Sequence, residues 1–424
     1  MPFYLTRNNV MPAPDPSHLS LVVGGGANNM APEYALPETH VRDVLNMDVN
    51  SVGVRTRRGL RVLETWDCHS LFRHPVGGFL LVHDGYLWRV HGGNVTQLGA
   101  VEQDRRVRYT THNSEVFWTN GIETGRVTST GESSFWGLSA PPSPLLTTTT
   151  GNLPAGKYQA TYTAVIDGVE SGAPVSESIE LTESGGILLI TPPASLGVTF
   201  NAYLSTTNGG SGTLRRVLSG IPASASASLL LNRGAQLQSL LAVKPYPGNL
   251  LASYHGRIWI AAGSMLWFTD SASPHWLFPT EQFFLWPSTV TMVVPVLDGL
   301  FVATEHATWM LQGDGPANMA MRQVADQGVI FGTGTSRVPY DIFGGDGTPC
   351  AVWLDSDGVL CCGRSGGVVQ RITENRYRIG NAATGDIIFR SHAGIRQLLV
   401  VLDGRVAPVG AAQDVVISER YDWT

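Results

Sequence analysis

The sequence predicts an all-β chain: a β-propeller of about six blades with an inserted β-sandwich of the immunoglobulin or fibronectin type. Three observations predict it. Helical periodicity is nearly absent, and 48 Gly and 25 Pro interrupt most windows. Short runs rich in Val, Ile, Leu, Trp, Phe and Thr flank tight turns, mostly Asp-Gly, whose residues readily supply the positive φ of a hairpin. These hairpins recur at blade-like intervals, with one long interruption of different composition.

Residues 1–50 read as an N-terminal arm and first strand. The opening Met1-Pro2-Phe3-Tyr4-Leu5-Thr6-Arg7 lacks the apolar core of a secretory signal. Gly24-Gly25-Gly26 lacks the Lys-Ser/Thr of a phosphate loop and reads as a flexible turn.

Residues 51–143 read as the first part of the propeller. Phe79-Leu80-Leu81-Val82-His83-Asp84-Gly85-Tyr86-Leu87-Trp88 is its first clear hairpin, and Glu115 to Gly121 a partial second. The second part, residues 242–424, holds four more: Leu251 to Ile260, Val294 to Ala303, Ala351 to Leu360 and Leu398 to Val406. The turn glycines fall at 85, 121, 256, 299, 358 and 404, giving intervals of 36, 135, 43, 59 and 46. Four of these lie near the ~40–50 residues of one four-stranded blade.

The long interval contains residues 144–241, which include a four-threonine run (Thr147 to Thr150) and no tryptophan, although the chain has 11. Gly156 to Val165 and Thr199 to Ser205 alternate cleanly. About 98 residues of short alternating strands match a sandwich domain, and removing them returns the interval to the blade range. Insertion between two blades is tolerated where a domain's termini lie close together.

Charge and chemistry narrow the function. Only 15% of residues are charged, the net charge is −6, and the basic residues are almost all arginine, Lys157 and Lys244 being the two lysines. A strongly basic nucleic-acid clamp is thereby disfavoured. No run approaches the ~18 apolar residues of a membrane helix, so no membrane insertion is expected. Four scattered cysteines (Cys68, Cys350, Cys361 and Cys362) read as reduced thiols of a protein folded in a cytoplasm.

Catalytic patterns fail on context. Gly363-Arg364-Ser365-Gly366-Gly367 has the letters of a nucleophile elbow, but the sequence after it alternates like a strand where a helix is required. Asp355-Ser356-Asp357-Gly358 could open a calcium loop, but the further ligands are missing, so a hairpin turn is expected. The 11 histidines show no zinc spacing, and His83 and His255 sit beside hairpin turns. No enzyme activity, cofactor or metal is therefore expected. Two arginine groups, Arg55, Arg57, Arg58 and Arg61, then Arg105, Arg106 and Arg108, are candidate assembly-interface residues. The competing reading is a solvated strand face with local ion pairs, for instance to Glu64 or Asp104.

Several segments carry a resemblance when taken together. Gly26-Ala27-Asn28-Asn29-Met30-Ala31-Pro32-Glu33 leads through Val41-Arg42-Asp43-Val44-Leu45-Asn46-Met47-Asp48-Val49 to Arg55-Thr56-Arg57-Arg58-Gly59-Leu60. Leu251 to Ala261 leads to Leu266-Trp267-Phe268-Thr269-Asp270, and Val296 to Thr304 leads to Thr308-Trp309-Met310-Leu311-Gln312-Gly313. This order resembles the tail nozzle (tail hub, or packaged-DNA stabilisation) proteins of short-tailed bacteriophages, over about 60% of the chain.

The resemblance implies a structural protein of the virion tail, assembled in the host cytoplasm. It implies a ring of six copies around a channel that is closed until infection and then conducts the genome. One end would dock on a portal-adaptor complex, and the other would receive a fibre, needle or spike. The net −6 charge suits a conduit, which should not grip the phosphate backbone along its length. The alternative is a propeller that binds or cleaves host glycans, with tryptophans stacking on sugars and a carboxylate pair assembled from distant blades.

Overall fold

The computed structural model describes residues 26–37, 39–42, 47–50, 53–56, 66–230, 234–313, 315–379, 382–392 and 395–403. The fold is all-β. Two short pairs come first: β1 (Gly26–Ala27) lies parallel to β2 (His40–Val41), and β3 (Met47–Asn50) antiparallel to β4 (Gly53–Thr56).

Five four-stranded meanders follow, each with its strands in sequence order. Blade one comprises β5 (His69–Arg73), β6 (Phe79–His83), β7 (Tyr86–His91) and β8 (Asn94–Ala100). Blade two comprises β9 (Arg108–His112), β10 (Glu115–Thr119), β11 (Thr124–Val127) and β12 (Ser133–Ser134). The sandwich intervenes, with strands β13 (Leu145–Leu153), β14 (Gly156–Ile166), β15 (Val169–Glu170), β16 (Glu177–Leu181), β17 (Gly185–Ile190), β18 (Thr199–Leu204), β19 (Arg215–Pro222) and β20 (Ser226–Leu229).

Blade three comprises β21 (Leu250–Tyr254), β22 (Arg257–Ala262), β23 (Met265–Phe268) and β24 (Phe283–Leu285). Blade four comprises β25 (Val290–Val296), β26 (Gly299–Thr304), β27 (Thr308–Gln312) and β28 (Ala320–Ala325). Blade five comprises β29 (Thr335–Pro339), β30 (Pro349–Leu354), β31 (Leu360–Arg364) and β32 (Val368–Arg371). At the sixth position the described residues form a two-stranded ribbon, β33 (Thr384–His392) with β34 (Ile395–Asp403).

Period-two alternation distributes each central strand between two seams. In β22, Ile258 and Ile260 join Phe117 and Trp136 against blade two, while Trp259 and Ala261 join Leu300 and Val302 against blade four. In β26 the other face, Phe301 and Ala303, meets Ala351 and Trp353 of blade five. In β30, Cys350, Val352 and Leu354 meet Ile387, Leu398 and Val400 of the ribbon. Blades one and two share Leu80, Val82, Val116 and Trp118. Strands buried on both faces read as continuous apolar runs.

Two expected turns have the mirror-image geometry that a right-twisted hairpin favours. Asp84 and Gly85 have φ of 48° and 73°, and His255 and Gly256 have 47° and 69°. The second hairpin differs from expectation. Its two-residue turn is Asn113-Ser114, with φ of 50° and 65°, whereas Asn120-Gly121 joins β10 to β11. There the Asn120 carboxamide oxygen accepts from the amides of Ile122 and Glu123 at 3.1 and 2.7 Å. The Gly404 turn lies outside the described residues.

The sandwich strands span 145–229, within the expected 144–241. A sheet ordered β13-β17-β20 faces a second sheet built on β14, which pairs with β15, β16 and β18, while β19 pairs with β18. Their shared core holds Tyr158, Tyr162, Ile187, Leu189 and Phe200. The domain is joined to the propeller by more than its two connections. The Trp276 indole donates to the Glu170 carbonyl at 2.8 Å, and the returning connection is pinned on both sides, Leu240 bridging Ala173 and Val243 bridging Leu277. A Cβ on Gly172 would lie 1.7 Å from the Ala242 carbonyl oxygen, so only glycine allows that approach.

Candidate assembly interface

The candidate arginines have different fates. Arg55 lies on β4 opposite Asp48, while Arg57, Arg58 and Arg61 lie outside the described residues. Arg105 is exposed beside Gly121. Arg106 and Arg108 are engaged within the chain. Arg106 bonds Asp386 at 2.9 Å and lies 3.5 Å from Asp403, and Arg108 pairs with the other Asp386 carboxylate oxygen. The Arg108 guanidinium also sits 5.8 Å from the centre of the Phe331 ring.

The first strand of blade two thus meets the ribbon, which Phe331 anchors by accepting from the Gly385 amide at 2.9 Å. The sequence offered an assembly interface or local ion pairs to Glu64 or Asp104; the carboxylates that engage Arg106 and Arg108 are instead Asp386 and Asp403, far along the chain. Asp386 and Asp403 carry no local signal, because the packing of the ribbon beside blade two brings them in.

At the two ends of the blade series, an apolar sheet face is partly exposed among the described residues. On blade one, Leu80 and Val82 face blade two, so Phe79, Leu81 and His83 point away, opposite Val90, Trp88 and Tyr86. Phe79 is 47% exposed and Leu71 66%. Trp66 stacks on His83 at 4.9 Å and contacts Trp88 at 5.6 Å, making this face largely aromatic. On the ribbon, Ile387 and Val400 face blade five, leaving Ile388 61% and Val401 54% exposed on the other side.

A smaller aromatic group lies on blade three. Trp267 contacts Tyr246 at 5.1 Å and Phe283 at 5.4 Å, and the latter two are partly exposed. The sequence marked Trp267 only as a strand residue. Its neighbours come from a separate strand and from the chain returning out of the sandwich.

The motifs set aside on sequence grounds fold as local structure. Ser365 to Gly367 form a short 3-10 turn that runs into strand β32, with no helix after the serine. Asp355 caps its own turn: one carboxylate oxygen accepts from the amides of Asp357 and Val359, both at 2.9 Å. The other oxygen lies 3.1 Å from Arg371, which also binds Asp357 and Glu374. Burial raises the Asp355 pKa, and burial beside Asp355 pushes the Cys361 thiol well up. Among the described residues, no group of His, Cys, Asp and Glu side chains is placed to hold a metal ion.

No family model and no curated protein matches the chain. The solved structures the chain is similar to include BBS1N in complex with ARL6DN. That structure has 10% identity and a TM-score of 0.34 over 86% of this chain and 94% of that one. Dipeptidyl peptidase 4 of Porphyromonas gingivalis is similar at 10% identity and a TM-score of 0.27, over 79% of this chain and 48% of that one.

Proposed function

We propose that this chain is a structural component of a short-tailed phage tail, a nozzle-type ring that closes and then conducts the DNA channel. The reading rests on the order of sequence segments resembling tail nozzle proteins. Among structural observations it is best supported by the apolar residues exposed at the two ends of the described blade series. A ring needs a heterologous interface made of two different surfaces, and these faces differ: one aromatic, on blade one, and one aliphatic, on the ribbon. Its partners would be further copies of itself, portal-adaptor proteins at one end and a fibre, needle or spike at the other, with viral DNA passing through.

Native mass and electron microscopy of the purified protein test it. A ring of about six copies with an axial hole is expected on this reading of closed cyclic symmetry. A stable monomer that binds or cleaves a glycan overturns it. That second reading is favoured by one observation, the partly exposed Tyr246, Trp267 and Phe283 rings, which offer a platform of the kind sugars stack on.

A further inference from the structure

The sandwich leaves the propeller after Trp136 and returns through Lys244 and Pro245, and both connections close around one short segment. The Trp136 indole donates to the Pro274 carbonyl at 2.8 Å. A Cβ on Gly137 would lie 2.8 Å from the His275 carbonyl oxygen and 2.9 Å from Pro245. The next residue, Trp276, donates to Glu170 in the sandwich. His275 is therefore at the centre of the clamp.

Its surroundings favour the neutral ring. Nδ1 of His275 is buried without a hydrogen-bond partner, and the ring packs on Phe117 at 6.0 Å. From blade two it faces Arg126 and His112, which is itself buried, packs on Phe117 at 6.2 Å and shares a 3.0 Å hydrogen bond with Ser253. On that side Glu115, whose charge favours protonation of His112, is engaged by Arg126 at 3.2 Å. On its own loop, Asp270 is turned to Gln282 and Arg257, and Lys244 is exposed. A proton taken from solvent would create a donor with no acceptor, facing a guanidinium.

We infer that this seam is an acid-sensitive latch: protonation of His275, with His112 beside it, loosens both connections of the sandwich to the propeller. Burial, with Arg126 and His112 adding to it, brings His275 down to about 4, and burial also lowers His112. The open form, with an ordinary histidine near 6.5, takes up protons first as pH falls. The latch is therefore closed at neutral pH and weakens progressively from about pH 6.5 down to about 4. It is independent of the tail-nozzle reading.

Hydrogen exchange of the full chain, corrected for intrinsic rates, tests the latch. Between pH 7 and pH 5, protection of residues 134–145, 240–250 and 272–278 is expected to fall roughly tenfold or more relative to blade four. In His275→Gln most of that relative change is expected to disappear, and in His112→Gln a smaller part of it. The inference is overturned if the wild-type segments stay as protected as blade four at pH 5. It is equally overturned if the loss persists undiminished in both variants. The wild-type comparison stands on its own should a variant fail to fold.

Discussion

Arg108 and Asp386 are 278 positions apart in the chain, yet they form one ion pair that ties the first strand of blade two to the first strand of the ribbon. Arg108 is mostly buried while Asp386 is half exposed, so solvent screening limits the pair to about 1 kcal/mol. A double-mutant cycle of Arg108→Met and Asp386→Asn, read by urea denaturation, should return a coupling of about 0.5–1 kcal/mol. Zero coupling would mean that the contact contributes nothing to holding the ribbon.

The turn at Asp355 should be far more sensitive. Asp355→Ala leaves the amides of Asp357 and Val359 without an acceptor and Arg371 without one of its three carboxylates. A loss of about 2–4 kcal/mol is expected in chemical denaturation. Asp355→Asn retains an oxygen that can accept from both amides and should cost less.

Trp353 fills the seam between blades four and five, 5.2 Å from Phe301. Trp353→Ala should cost about 3–5 kcal/mol, the range for an aromatic cavity. Trp66→Ala, on the partly exposed face of blade one, should cost clearly less in the isolated chain. If that face packs against another copy, Trp66→Ala should instead lower the assembled mass seen by light scattering.

Gly172→Ala places a methyl group against the Ala242 carbonyl and must move one strand of the junction. Limited proteolysis should then cut the connection at residues 242–249 markedly faster, while melting of the remaining chain changes little. Unchanged cleavage would mean that the junction yields without strain.

Thiol chemistry gives an independent test of the packing. Cys68 is exposed, and Cys350, Cys361 and Cys362 are buried. One thiol per native chain should react promptly with an aromatic disulfide reagent, and four in denaturant.

How much of this was legible can be seen residue by residue. Ile258 to Ala261 is a short apolar run ahead of Trp267, and burial on both faces follows from that pattern. The turn glycines were less faithful guides. Gly85 lies between the second and third strands of its blade and Gly256 between the first and second, so their spacing reports the blade period only unevenly. First strands begin at 69, 108, 250, 290, 335 and 384 and give the steadier measure. The partners of Arg106 and Arg108 had no local signal, because the packing of the ribbon beside blade two supplies them. The His112 and His275 pair likewise depends on two blades meeting across an insertion of about a hundred residues.

The sandwich is held along a line of contacts running from Glu170 through Trp276 and Pro274 to Trp136. A domain tethered at a single point would swing freely and transmit nothing. Held along a line, it acts as a lever whose fulcrum is the wall between blades two and three. A force or docked mass on the sandwich would reach the propeller as torque at that one place.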